Sequence, residues 1–184
     1  MDSEKSKFLA GEPYQIRDPE LMADIFRARG LVRKLNNLTD EQQKEKQAIL
    51  RQLFKRVGKN MDIQPFFHCD FGYNISIGDN FLCNYDCAML DVAPITIGDN
   101  CLFAPHVQIY AAEHPLDVER RTAMIGLGRP VTVGDNAWIG GGSILVPGVT
   151  LGNNVVVGAG SVVTKSFPDN VLIAGNPAQV IRHL

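Results

Sequence analysis

The chain predicts a mainly β solenoid carrying a helical N-terminal segment, and three observations support that expectation. An aliphatic residue recurs every six positions, a small or β-branched residue stands two places before it, and Gly, Asn or Asp follows the pair. The first sixty residues lack this pattern and place apolar side chains at three- and four-residue steps instead. The expected division is therefore a helical segment over 1–60 and a β-helix over 61–184.

The helical segment contains two start signals. Asp18 before Pro19 has the form of an N-cap with proline at the first helical position. Leu21, Ile25, Ala28, Leu31, Val32 and Leu35 then share one helical face. Thr39 with Gln42 three residues later has the pattern of a capping box. Ile49, Leu50, Leu53, Phe54 and Val57 make the stripe of this second helix, with Gly58 as its expected terminator. Both helices are amphipathic, so each needs a surface to cover.

The repeat is clearest toward the C-terminus. Val133, Ile139, Leu145, Leu151, Val157 and Val163 are spaced by six, with Val131, Ala137, Ser143, Val149, Val155 and Ser161 two places earlier. Ile77, Cys83 and Met89, then Ile97, Phe103 and Ile109, continue it upstream. Residues i and i−2 of a strand point the same way, so each pair faces one interior. The Gly, Asn and Asp that follow supply left-handed backbone for a corner. Three hexamers close one triangular coil, and stacked coils share a column of apolar side chains. About five coils are expected, a prism roughly 25 Å tall at ~4.8 Å per layer.

Composition narrows the function. Of 184 residues 45% are hydrophobic and 21% charged, and the net charge is −2, which offers no basic field for nucleic acid or an anionic membrane. No apolar run reaches membrane-spanning length, and MDSEKSKFLAGEP lacks a signal-peptide core, so a cytoplasmic location is expected. Cys69, Cys83, Cys87 and Cys101 lack the paired spacing of a metal site and are expected as small buried hydrophobes.

One interval breaks the rhythm. Ile109 and Val133 are 24 residues apart where the repeat predicts six, so 18 residues are inserted, yet the register resumes in phase. The insertion, a loop over 110–130, contains His114 in the run EHPLD. A long loop on a rigid scaffold commonly carries function.

FHCDFGYNISIGDNFLCNYD, LDVAPITIGDN, EHPLD, AWIGGG, VPGVTLGNNVVVGAGSVVTK and AGNPAQVIR, with the N-terminal helices, resemble the maltose and galactoside O-acetyltransferases from about Phe8 to Arg182. The resemblance implies a left-handed parallel β-helix, a homotrimer with active sites between subunits, and acetyl transfer from acetyl-CoA directly to a sugar hydroxyl, without a metal. It places the general base at His114, and imidazole suits that task near neutral pH. It places acceptor contacts at Asn84, Asp70 and Asp91. The cofactor groove falls on Trp138, Gly141, Ala159, Thr164, Lys165 and Arg182, the last two facing the nucleotide phosphates. No GxxxxGK[ST] loop competes for a nucleotide. The galactoside branch has an acidic residue where this chain has Val92, which weakens a galactoside acceptor, and the resemblance implies a maltose- or glucose-like one.

His68 and His106 border inward positions and are expected to be structural, while His183 is expected in solvent. Outward residues such as Ala137 and Val156 are expected on flat faces available for lateral packing. Two other readings are a non-catalytic solenoid scaffold and a zinc lyase of the carbonic-anhydrase kind. The first does not explain the insertion, and the second has only His106 and His114, eight residues apart, to offer as ligands.

Overall fold

The structure, a computed structural model, describes residues 3–184. It is a triangular parallel β-helix. The first face stacks Ile75–Ile77, Ile95–Ile97, Val131–Val133 and Thr150–Leu151, extended by bridges from Arg56 to Ser76 and from Leu151 to Phe167. The second stacks Asp62–Ile63, Leu82–Cys83, Leu102–Phe103, Trp138–Ile139, Val155–Val157 and Val171–Gly175. The third stacks His68–Cys69, Ala88–Leu90, Gln108–Tyr110, Ile144–Leu145 and Val162–Val163. The first two faces thus have six layers and the third has five, one partial coil more than the repeat count predicts.

The inward positions are those the hexamer selects. Ile75, Ile95, Val131 and Val155 are fully buried, with Phe81 and Phe103 stacked edge-to-face at 5.0 Å. Ala137 belongs to this interior at 1% exposure, which corrects its expected place on an outer face. The outer ladder of the second face is Leu82, Leu102, Trp138 and Val156.

Between the first and second faces, each corner is a polar ladder. The side chains of Asp79, Asp99, Asp135, Asn153 and Asp169 each accept the backbone N–H of the equivalent residue one coil earlier, at 2.7–2.8 Å. Asn60, Asn80, Asn100, Asn136, Asn154 and Asn170 hold φ between 53° and 59°, which Asn tolerates best after glycine. Their amides link Asn60 to Asn80, Asn80 to Asn100, Asn100 to Asn136 and Asn154 to Asn170.

Among the described residues the N-terminal segment has three helices where two were expected. Helix α1 (Glu4–Ala10) precedes the strand Tyr14–Gln15, and α2 (Pro19–Asn36) is capped by Asp18 as expected. Helix α3 (Gln43–Leu53) starts four residues after Thr39. The Gln42 side-chain Oε1 does reach back to the Thr39 N–H at 3.1 Å, but the pair closes a turn ahead of the helix. Gly58 is not a terminator: α3 ends at Leu53, and Gly58 turns the first corner of the prism. A Cβ there would stand 1.9 Å from the Gly78 carbonyl oxygen, so only glycine fits. The solenoid accordingly begins near Lys55, whose N–H donates to Ile75, some five residues before the expected boundary.

Both ends of the stack are covered. Leu50, Leu53 and Phe54 continue the core cluster beneath the first coil. At the other end, Ala178–His183 folds back antiparallel on Val171–Gly175. No helix among the described residues is long and apolar enough to cross a membrane.

Candidate active site

The insertion leaves the prism after Gln108–Tyr110 and returns at Val131, which pairs with Ile95 as though nothing intervened. Outside the prism it forms a small antiparallel sheet. Ala112–Glu113 pairs with Ile125–Gly128, whose other edge pairs with Tyr14–Gln15. His114 therefore follows directly on a strand that the N-terminal segment helps to hold. Beyond it, Asp117 caps the short helix α4 (Val118–Thr122), and Arg121 donates to the Pro115 and Leu116 carbonyls. Glu113 pairs with Arg129 across the ribbon.

His114 is exposed and lines a cavity of about 410 Å³ at the corner between the third and first faces. Asp70 lines the same cavity, together with Tyr14, Ile16, Met22, Val92 and Met124. Burial pushes the Asp70 carboxyl above its usual range, opposed by the charge of Arg29. Burial also drives the Tyr14 phenol up to about 12, with Asp70 adding to the shift. The pocket has mainly apolar walls and a few polar groups, as small-molecule sites commonly do.

Asp91 has a different place. It is fully buried and does not line this cavity. Its Oδ1 accepts from the N–H groups of Asp70 and Phe71 at 3.0 and 2.9 Å, and its Oδ2 from Asn74 at 3.2 Å. Desolvation raises it to about 6, against the pull of those backbone donors. Through these bonds Asp91 holds the loop that carries Asp70, one layer behind the cavity wall.

Asn84 stands at another corner, between the second and third faces, where its side-chain Oδ1 accepts from the Tyr85 N–H at 2.8 Å. Gly141 and Ala159 occupy the same edge in later coils. The Gly141 carbonyl accepts from Gly160 at 2.8 Å, and Ala159 is exposed. Trp138 is 54% exposed on the adjoining second face. Thr164 and Lys165 follow the last strand of the third face, and the Lys165 ammonium donates to Gln179 at 3.1 Å. Gln179 lies on the same strand as Arg182, which is exposed and pairs with Leu172. One chain thus brings His114 to Asp70, and separately Asn84 to Gly141 and Ala159, at opposite edges of its third face.

His68 and His106 border the buried Phe67, Cys69 and Val107 as expected, with their own side chains exposed, and His183 is exposed as anticipated. His106 turns a corner with φ 61° on the Asn84 edge, away from His114. Among the described residues no group of three or more His, Cys, Asp or Glu side chains is arranged to hold a metal ion. All four cysteines are buried and unpaired, so none presents sulfur to a thioester. Sequence reasoning missed Tyr14, Arg17 and Arg29 as cavity residues. The only signal is their position beside the Asp18 cap and along the rim of the α2 apolar face.

Residues 7–58 match the maltose acetyltransferase hexapeptide capping motif, and 130–165 the hexapeptide repeat of succinyl-transferase. Nodulation protein L of Rhizobium meliloti is 48% identical over 178 residues, covering 97% of each chain. The crystal structure of a maltose O-acetyltransferase from Clostridium difficile superposes with a TM-score of 0.97 at 48% identity, covering 100% of this chain and 98% of that one. A galactoside acetyltransferase in complex with coenzyme A gives 0.94 at 34% identity, covering 100% and 92%. Matched in its helical cap and repeat, and over nearly its whole length by these relatives, the chain belongs to the maltose/galactoside O-acetyltransferase family of hexapeptide-repeat acyltransferases.

Proposed function

We propose that the protein transfers the acetyl group of acetyl-CoA directly to a hydroxyl of a maltose- or glucose-like sugar, with His114 as general base. The observation that carries this is the cavity in which His114 and the Asp70 carboxyl converge at the foot of the only long insertion. A sugar hydroxyl is a poor nucleophile until its proton leaves, and imidazole can take that proton as oxygen attacks the thioester carbon. The proton passes to the imidazole, the C–S bond breaks, and CoA departs as its thiol. Asp70 accepts a hydrogen bond from a neighbouring hydroxyl and orients the ring, and Asp91 fixes Asp70 from behind. Val92 and Ile16 give this pocket an apolar flank. The relative solved with coenzyme A supports the donor, and exposed Lys165 and Arg182 are the cations for its phosphates.

The two edges explain the assembly. A threefold arrangement that turns the third faces inward sets the Asn84–Gly141–Ala159 edge of one chain against the His114–Asp70 edge of the next. Each site then takes its base from one subunit and its groove from another. The protein is accordingly a homotrimer of about 60 kDa, three times the 20.2 kDa chain. The test is complementation. His114→Ala and Asn84→Ala, each inactive alone, are denatured together and refolded as mixed oligomers. Acetylation of maltose should reappear in the mixture; none reappearing while CoA binding is retained would reject the shared site.

A further inference from the structure

The cavity holding His114 does not stand alone. A second one, of about 440 Å³, lies beside it, and Arg29, Asp70 and Leu90 line both. One wall is the outer surface of the first coil at His68, and the other is the C-terminal half of α2. Its chemistry differs from that of its neighbour. Arg29 and Arg33 are four residues apart and so project from the same side of α2. Neither guanidinium makes a hydrogen bond or ion pair with a described residue, although Asp70 feels the charge of Arg29. Phe66 adds a ring that is 56% exposed, and Asp70, at the junction, is the only carboxylate among the described residues lining this second cavity.

Exposed arginines usually sit solvated and bind nothing. Here they line a concavity together with an exposed aromatic ring, and the Asp70 charge beside Arg29 is the one carboxylate that the described lining residues set against two guanidinium groups. Each cavity is at the lower end of the size of small-molecule sites, roughly 300–1,000 Å³, so the pair exceeds what one sugar ring occupies. We propose that the second cavity is a subsite for the part of the acceptor remote from the acetylated hydroxyl, and that it selects an acceptor carrying an anionic group there. The guanidinium forks match a carboxylate, sulfate or phosphate in two-point geometry, and the Phe66 ring offers a platform for an apolar sugar face. This inference rests on the first cavity being the acceptor pocket.

The experiment compares two acceptors with the same two rings, methyl α-maltoside and α-maltose 1-phosphate. The phosphate ester should show a kcat/KM at least about tenfold higher at low salt, the least expected of a charge-assisted contact. That advantage should shrink as salt is added. Arg33→Gln should remove most of it. Equal kcat/KM for the two sugars, or an advantage untouched in Arg33→Gln, would overturn the proposal. Calorimetric binding of the same sugars without acetyl-CoA reads the subsite independently of turnover. If neither sugar is acetylated, the reaction assigned above fails; the subsite stands if maltose 1-phosphate still binds more tightly through Arg33, and falls if the two bind alike.

Discussion

Two corners of the prism use the same residue types to opposite ends. Between the first and second faces, each of these Asp and Asn side chains is engaged by a neighbouring coil, carboxylate to backbone N–H and amide to amide. Between the third and first faces, Asp91 is engaged in the same way, but the Asp70 carboxyl and His114 face a cavity. Residue identity alone does not separate architecture from chemistry; what separates them is whether the polar atoms already have partners. The contrast also explains why the ladder corner is regular and the other is not. A group held ready for substrate cannot also serve as the stitch to the next layer, so that stitch is supplied from elsewhere.

The sharpest way to break the comparison is at His114. His114→Ala should lower kcat by about 10²–10⁴-fold, the usual worth of a positioned base, while thermal unfolding and CoA binding remain those of the wild type. A variant retaining more than about a tenth of kcat would show that this corner is as architectural as its neighbour.

Asp91 tests the engaged member of the active corner. Asp91→Ala leaves three backbone N–H groups without their acceptor and should cost about 3 kcal/mol in urea unfolding, at roughly 1 or more per orphaned donor. A loss under about 0.5 kcal/mol would mean water replaces it readily. A subtler effect follows from its titration. Burial raises the carboxyl to about 6 in the folded chain from an ordinary 3.8, so the folded state holds this proton more tightly. The stability gained from the group is full below about pH 4 and lost as pH rises through about 6. Wild type should therefore gain on Asp91→Asn as pH falls from about 7 to 4, by at most about 1.4 kcal/mol per pH unit. A pH-independent difference would place an ordinary carboxylate there.

The smallest effect belongs to the ladder. Asn100→Ala loses two amide contacts and puts Ala at φ 57°, for an expected cost of about 1–2 kcal/mol with kcat and KM unchanged. A kinetic effect there would mean the two corners communicate.

Much of this was legible in the sequence because the hexamer is periodic and each inward pair repeats its chemistry. The insertion at His114 stood out for the same reason, as a break in a period. Where one residue type serves two purposes, the sequence was ambiguous. Gly58 suits both a helix end and a coil corner, and only the backbone of Gly78 against it decides. Thr39 and Gln42 suit both a capping box and a free turn. Asp91 carried no mark telling a substrate contact from a buried acceptor. Cavity walls such as Tyr14, Arg29 and Met124 come from distant segments that obey no shared period.

A stack of parallel strands has no intrinsic length, because each finished coil presents unpaired N–H and C=O groups to whatever arrives next. Unprotected, the terminal layers would be growth faces, and one molecule could seed upon another as in a fibre. The antiparallel return of Ala178–His183 reverses the chain direction on the second face, so the last layer there no longer offers the pattern that an incoming coil would copy. At the opposite end, helix α3 and Phe54 put side chains where another coil would otherwise sit. The same two features that bound the catalytic prism therefore also keep a self-templating architecture finite.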